Sequence, residues 1–263
     1  MTTILDQIIA EKVKEVARLK QQTIQPEIYP KIPTFESSIR KQETLGIIAE
    51  IKRASPSKGM IHESVDPVAQ AKMYEALGAN AISVLTDTPF FKGSMEDLRA
   101  IRQAVQIPIL CKDFIIDRVQ IDVAHAAGAN IILLIAAALD DAQLKNLYQY
   151  AVSKGLEVLC EVHNEVELQR ILPLGPTLIG VNNRNLKTFD VDLTTTQRLA
   201  AQAKRENCLF ISESGIASKE DAQFVAQHGA QAILVGETLM RSKTLAKTFQ
   251  KLQVPLLKGA QAQ

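Results

Sequence analysis

In the stretch Gly46–Gly59, GIIAEIKRASPSKG, charge stands where a buried strand has none. Ile47, Ile48, Ala49 and Ile51 read as a core strand, interrupted by Glu50 and Lys52. Side chains alternate between the two faces of a strand, so this carboxylate and ammonium point one way while Ala49 and Ile51 point the other. Past Lys52 the chain turns through Ser55-Pro56-Ser57-Lys58-Gly59, whose hydroxyls, amides and second lysine suit an anion. By itself the stretch also fits an edge strand carrying a solvated ion pair.

Other apolar runs end in the same way, at Asp87, Lys112-Asp113, Glu161, Asn182-Asn183-Arg184 and Glu213-Ser214. One charge at a strand end is ordinarily a solvated loop residue. Several arriving at one rim make a site, and Lys52 and Lys112 with Glu50, Glu161 and Glu213 in a shielded mouth would supply both an acid and a base at neutral pH. The same lysines also suit a Schiff base. Two further loops, Ser212-Glu213-Ser214-Gly215-Ile216 and Val235-Gly236-Glu237-Thr238, each place a glycine where backbone amides can approach a phosphoryl group.

The remaining reactive residue types read as structural. His125 and His228 stand near helix ends, where partial positive charge suits the helix dipole, and His62 lies in a loop. His163, two residues beyond Glu161, reads as a loop histidine able to lean over the mouth. No histidine has metal-ligand spacing with another, and no metal is expected. Cys111, Cys160 and Cys208 are odd in number and widely spaced, as expected of reduced thiols; the first two directly precede Lys112 and Glu161 and should face away from the site into packing.

The elements that must position these residues follow from a recurring unit, a helical stretch ending in glycine and then a short apolar strand, as in Leu77-Gly78-Ala79-Asn80-Ala81-Ile82 and Ala127-Gly128-Ala129-Asn130-Ile131-Ile132. Apolar runs predict strands near 46–52, 81–87, 108–112, 131–136, 157–161, 177–182, 208–213 and 231–235. Helical patterns fall between them near 66–77, 94–105, 117–127, 140–154, 164–172, 192–206 and 218–228, with a last one near 243–252. Eight β-α units imply an α/β protein, a (β/α)8 TIM barrel with chemistry at the carboxyl ends of its strands. The alternative, an open doubly wound sheet, lacks a G-x-G-x-x-G after any strand. Ahead of the barrel, Ile4, Leu5, Ile8, Ile9, Val13, Val16 and Leu19 recur at helical spacing, and Pro26, Pro30 and Pro33 end that pattern. Residues 1–45 are therefore read as a helical extension packed on the barrel, with Phe35 to Arg40 a short helical turn, and 46–263 as the barrel of one overall domain.

Bulk composition narrows the partners. With 30 basic and 29 acidic residues the net charge is +1, which gives no general attraction to nucleic acid or anionic membrane, so an anionic ligand must be held locally. The 46% hydrophobic content of the 263 residues contains no run long enough to span a bilayer. Residues 1–20 do not resemble a secretory signal, so a soluble cytoplasmic protein is expected.

Five blocks, AEIKRASPSKG at 49–59, ISVLTDTPFFKGS at 82–94, KDFIID at 112–117, IGVNNRNLKTFDVD at 179–192 and SESGI at 212–216, resemble the signatures of the indole-3-glycerol phosphate synthase family, and the likeness extends over nearly the whole chain. That resemblance implies Lys112 as general acid, Glu161 as its acid/base counterpart, Lys52 on the substrate carboxylate, and Glu50, Asn182 and Glu213 completing the polar mouth. It further implies a phosphate held by Ser55, Gly215, Gly236 and the amide of Glu237, with Ser214 lining the mouth. Phe114 and the Phe90-Phe91 loop would wall the anthranilate ring, and Arg184 would lie near the carboxylate or support Asn182. Cys111 stands where the family pattern has arginine, an outward position that bears on packing and not activity. No cofactor is implied. The partner implied is a phosphorylated small molecule, for a monomer whose weak association with other tryptophan-pathway enzymes stays open, and any partner enzyme is expected to be a separate chain and not a fused second barrel. The residues themselves leave open another phosphosugar isomerase barrel, a Schiff-base aldolase or a catalytically silent binding barrel.

Overall fold

The computed structural model describes residues 3–25, 27–55, 59–60, 65–202 and 207–256. Pro56 to Lys58, His62, the end of the helix expected over 192–206 and the C-terminal tail lie outside the described residues, as does the side chain of Ser55.

Eight parallel strands close on themselves: β1 Gly46–Ile51, β2 Ala81–Leu85, β3 Ile109–Lys112, β4 Ile131–Ile135, β5 Glu157–Val162, β6 Leu178–Asn182, β7 Leu209–Glu213 and β8 Ala230–Val235. Each expected strand is present within one or two residues of its predicted bounds. β1 pairs with both β2 and β8, which seals the barrel and removes the edge that a solvated ion pair at Glu50 would need. In chain order the helices are α1 Ile4–Leu19, α2 Phe35–Ile39, α3 Pro67–Ala76, α4 Thr88–Phe91, α5 Met95–Arg102, α6 Arg118–Ala126, α7 Asp141–Ser153, α8 Glu165–Ile171, α9 Thr194–Gln202, α10 Lys219–Gln227, α11 Glu237–Met240 and α12 Leu245–Leu252.

Local chemistry starts and stops these helices. Asp117 with Gln120, Asp140 with Gln143 and Ser218 with Asp221 form reciprocal capping boxes at the starts of α6, α7 and α10. At the other end, Gly78 and Gly128 take φ of 89° and 92°, which turns the chain from helix into the next strand at no steric cost. Phe90 and Phe91 lie in the short helix α4 and not in a loop, because Asp87 caps it by accepting the Phe90 amide. A two-stranded antiparallel pair, Ala54–Ser55 with Gly59–Met60, follows β1 and was not anticipated.

Two apolar layers result. Outward strand residues such as Ala49, Cys111, Cys160 and Ile179 pack against the helices, while Ile48, Leu110, Leu133, Leu159 and Ile211 fill the barrel. Phe35 and Ile39 of α2 join the inner layer and plug its amino-terminal end. There the Glu157 carboxylate accepts the amides of Phe35 and Glu36 at 2.7 and 2.8 Å, an anion placed at a helix start.

The N-terminal helix is fastened by charge. Lys12 is buried, and its ammonium lies 2.6 Å from Asp113, 3.1 Å from Asp87 and 2.9 Å from Glu15. Asp87 and Asp113, expected among the converging charges of the rim, thus turn their carboxylates toward α1, although Asp113 still borders the mouth at the carboxyl ends of the strands. The turn after β2 places Asp87 as a helix cap, and Asp113 follows the inward Lys112 and so points the other way.

Candidate active site

Strand alternation sets the inner wall. Going up the barrel, Ile48 is followed by Glu50 and Lys52, Leu110 by Lys112, Leu159 by Glu161, Gly180 by Asn182, and Ile211 by Glu213. The lower positions are apolar packing and the upper ones open into a cavity of about 620 Å³ at the carboxyl ends of the strands. Glu50, Glu161 and Glu213 are only 2–3% exposed, so their charges are shielded and not solvated.

The centre of the cavity is Lys112. Its ammonium donates to Glu161 Oε2 and Glu213 Oε2, each at 2.9 Å. Burial works against the ammonium, but Glu161, Glu213 and Glu50 together hold its pKa well above the usual lysine range. Glu161 also meets opposition from burial, yet Lys112 and His163 keep it well below the usual carboxylate range. For Glu213, burial and the neighbouring Glu161 outweigh Lys112 and push its pKa up to about 7. Two carboxylates against one ammonium leave one of them near its titration point at neutral pH.

Around this centre, Asn182 is oriented from both sides: its Nδ2 donates to Glu161 Oε1 at 3.2 Å, and its Oδ1 accepts the Arg184 amide at 3.1 Å. Of the two positions expected for Arg184, support of Asn182 is therefore realised through its backbone, while its guanidinium donates to the Phe189 carbonyl. Lys52 pairs with Glu50 at 2.5 Å, and Ser83 donates to the other oxygen of Glu50 at 3.4 Å.

The anion-binding loops lie beside these groups. Ser214 and Gly215 both take left-handed backbone, φ of 66° and 86°; for Ser214 this is a costly conformation of the kind found at functional turns. α11 starts at Gly236 without a side-chain cap, and Gly236 approaches Glu50 so closely that a Cβ there would lie 2.6 Å from Oε1. Phe91 and Phe114 face each other across 5.9 Å between ring centroids and form an apolar wall.

The expected residues converge. Glu50, Lys52, Lys112, Phe114, Glu161 and Asn182 line this one cavity together with Arg184, Glu213, Ser214, Gly215, Gly236 and Glu237. Phe90 is not part of its lining, and the side chain of Ser55 lies outside the described residues. Several contributors were not foreseen. Ile4, Leu5 and Ile8 of α1 close one side of the mouth, a use of its apolar stripe that the helical spacing permitted but did not assign. Asn183, next to the expected Asn182, is buried and donates to Ser212 Oγ and the carbonyls of Glu213 and Ser214, which ties β6 to the anion loop. Gly180 leaves room for Glu213, whose Oε1 would collide with a Cβ at that position.

His163 stands in the loop after β5, as expected. It does not lean over the mouth but lies partly buried behind Glu161, Nε2 3.3 Å from Glu161 Oε1 and Nδ1 3.0 Å from Glu167 Oε2. The cysteines behave as expected: Cys111 and Cys160 are fully buried on the outward face, and burial pushes both thiols up to about 12. Among the described residues no cluster of three or more His, Cys, Asp or Glu side chains is arranged to hold a metal ion, and no helix is long and apolar enough to cross a membrane.

Comparison with known proteins agrees with this geometry. The family model described as indole-3-glycerol phosphate synthase matches residues 5–252. A protein of that name from Oceanobacillus iheyensis is 53% identical over 257 residues, 97% of this chain and 98% of that protein. Another from Bacillus cereus is 51% identical over 257 residues, 97% of this chain and 99% of its own length. Among solved structures, a 3-hexulose-6-phosphate synthase superposes with a TM-score of 0.60 at 15% identity, over 79% of this chain and 98% of that one. A thiamine phosphate pyrophosphorylase from Pyrococcus furiosus gives 0.59 at 17%, over 79% and 93%. At such identities the last two bear on the fold alone.

Proposed function

The chain belongs to the indole-3-glycerol phosphate synthase family, and from that premise we propose how its own side chains carry out the reaction. It is a carboxy-lyase of tryptophan biosynthesis, which converts 1-(2-carboxyphenylamino)-1-deoxyribulose 5-phosphate to indole-3-glycerol phosphate with loss of carbon dioxide and water. The observation that carries the assignment of roles is the Lys112 ammonium held between Glu161 and Glu213 in a shielded cavity.

In this reading Lys112 donates its proton to the ribulose carbonyl oxygen as the aromatic carbon attacks the carbonyl carbon, so that no alkoxide has to form unaided. The ring carboxylate then leaves as carbon dioxide, and its bonding electrons restore aromaticity. Dehydration removes a proton from the new ring system and delivers one to the departing hydroxyl. Glu161, held ionised, suits the removal, and Lys112 the delivery once solvent has reprotonated it, since loss of the carboxylate as carbon dioxide consumes one proton overall. Lys52, on the cavity wall, is assigned to the substrate carboxylate, and the facing rings of Phe91 and Phe114 to the anthranilate ring. The amides of Gly215, Gly236 and Glu237, with Ser55, are assigned to the phosphate, Ser214 to the adjoining wall, and Glu50, Asn182 and Arg184 to support. No metal or organic cofactor enters the scheme. A Schiff-base aldolase differs in forming a covalent adduct at its lysine, which borohydride traps and the proton-donor scheme does not form.

The remaining assignments follow from the same reading: a cytoplasmic monomer, with the extension and barrel forming one domain. The test is turnover of the wild type beside Lys112→Met and Glu161→Gln, followed by indole absorbance and released carbon dioxide. Each variant is expected to lose about 10²–10⁴ in kcat, the range for a positioned proton donor or acceptor. Full activity in Lys112→Met overturns the assignment, and a borohydride-trapped adduct on Lys112 would favour the aldolase.

A further inference from the structure

Lys112 does not distinguish its two carboxylates, since both accept from it at 2.9 Å. Two buried carboxylates sharing one ammonium cannot both ionise freely, so something else must decide which keeps the charge. The difference lies behind them. Glu161 Oε1 accepts from Asn182 and lies within ion-pair distance of His163 Nε2, 3.3 Å, though that nitrogen makes no hydrogen bond, whereas Glu213 Oε1 is buried with no hydrogen-bond partner among the described residues.

His163 follows β5 and does not line the cavity, so it meets the reaction only through Glu161. Its other nitrogen, Nδ1, lies 3.0 Å from Glu167 Oε2, and that same oxygen accepts the His163 amide at 2.8 Å. Glu167 is itself held, its Oε1 accepting Asn164 Nδ2 at 2.7 Å at the start of α8. The imidazole thus has a carboxylate oxygen at each nitrogen, and only the doubly protonated ring presents N–H to both.

We infer that His163 is a positioning residue: clamped as an imidazolium between Glu167 and Glu161, it assigns the negative charge to Glu161, leaves the exchangeable proton to Glu213, and so fixes which carboxylate is the base. This rests on the catalytic reading of the cavity given above. The titratable surroundings are few. Glu161 faces Lys112 from β3, Glu213 from β7 and His163, with Glu50 of β1 acting on Lys112 and Glu213. His163 faces Glu161 and Glu167 of α8, and β4 turns only Leu133 and Ile135 to the cavity. Burial lowers the imidazole pKa, but the two carboxylates outweigh it and hold it at about 10. In this arrangement Glu167 sets the charge of His163, and His163 sets that of Glu161.

Two measurements test this on the full chain. Nitrogen-15 spectra of the four histidine rings, with His163→Gln identifying the signal, report protonation without substrate. Both ring nitrogens of His163 are expected to stay protonated at neutral pH, and Glu167→Gln to lower that titration. A neutral His163 ring at neutral pH overturns the inference. Profiles of kcat against pH supply the second readout. His163→Gln keeps a donor but not the charge, so its acid limb is expected to rise by about one unit or more, with KM little changed, and His163→Lys to return it. An acid limb unmoved in His163→Gln, with product still formed, also overturns the inference. Wild-type protein that forms no indole product overturns the functional reading instead, and the ring spectra then decide the charge assignment alone.

Discussion

At the scale of the residue, the site works by a mismatch of charge: Lys112 has two buried carboxylates as partners, and Glu50 adds a third nearby. This has a consequence for stability. The Glu213 carboxyl titrates near 7 in the fold and near the ordinary carboxylate value of about 4.3 when unfolded, so folding favours its protonated form. Its contribution is therefore full below about pH 4 and is lost as pH rises through 7. Glu213→Gln, neutral at every pH, should be more stable than wild type above pH 7 by about 1–3 kcal/mol and little different in acid, while losing activity. Thermal melts across this range check the sign, and a variant destabilised in alkali would count against it. Space is as tightly set as charge. Gly236→Ala would press a methyl group on Glu50 Oε1, which holds Lys52, so KM should rise more than kcat falls. Steady-state kinetics separates the two.

At the scale of the element, α1 belongs to the site as well as to the fold. Its Ile4, Leu5 and Ile8 wall the cavity, and its Lys12 is pinned to Asp87 and Asp113 beyond β2 and β3. Lys12→Met would leave two buried carboxylates without their counter-charge, a loss of about 3–5 kcal/mol. Hydrogen exchange should show α1 amides losing protection in this variant before those of the barrel strands, and KM should rise as the wall loosens. Protection of α1 equal to wild type would show that its apolar contacts hold it without the charge.

At the scale of the whole molecule, the barrel has an inner and an outer apolar layer, and α2 inserts Phe35 and Ile39 into the inner one. Extension and barrel share a core, so calorimetry should give one cooperative transition, and two separated transitions would divide them into domains. A substrate-like phosphate ester should raise that transition as a unit, by about 2.7 kcal/mol at a hundredfold excess over Kd.

What the sequence determined by itself is what local periodicity determines. The alternation of β1, β3, β5 and β7 put Glu50, Lys112, Glu161 and Glu213 on the face opposite their outward neighbours Ala49, Cys111, Cys160 and Ser212, because successive strand side chains point to opposite faces. Eight such units then had one economical closure. Only the tertiary structure decided what happens where that period stops. Asp87 stands in the turn after β2 and was drawn to Lys12, and Asp113 alternates away from Lys112 to the same ammonium. His163, one residue past β5, was set by Glu167 on the following helix. Gly180 matters because of a glutamate on the neighbouring strand. The partners of Asp87, Asp113 and Gly180 are brought near by tertiary packing, about which spacing along one strand carries no information, whereas His163 turns to carboxylates two and four residues away whose approach is set by the turn from β5 into α8.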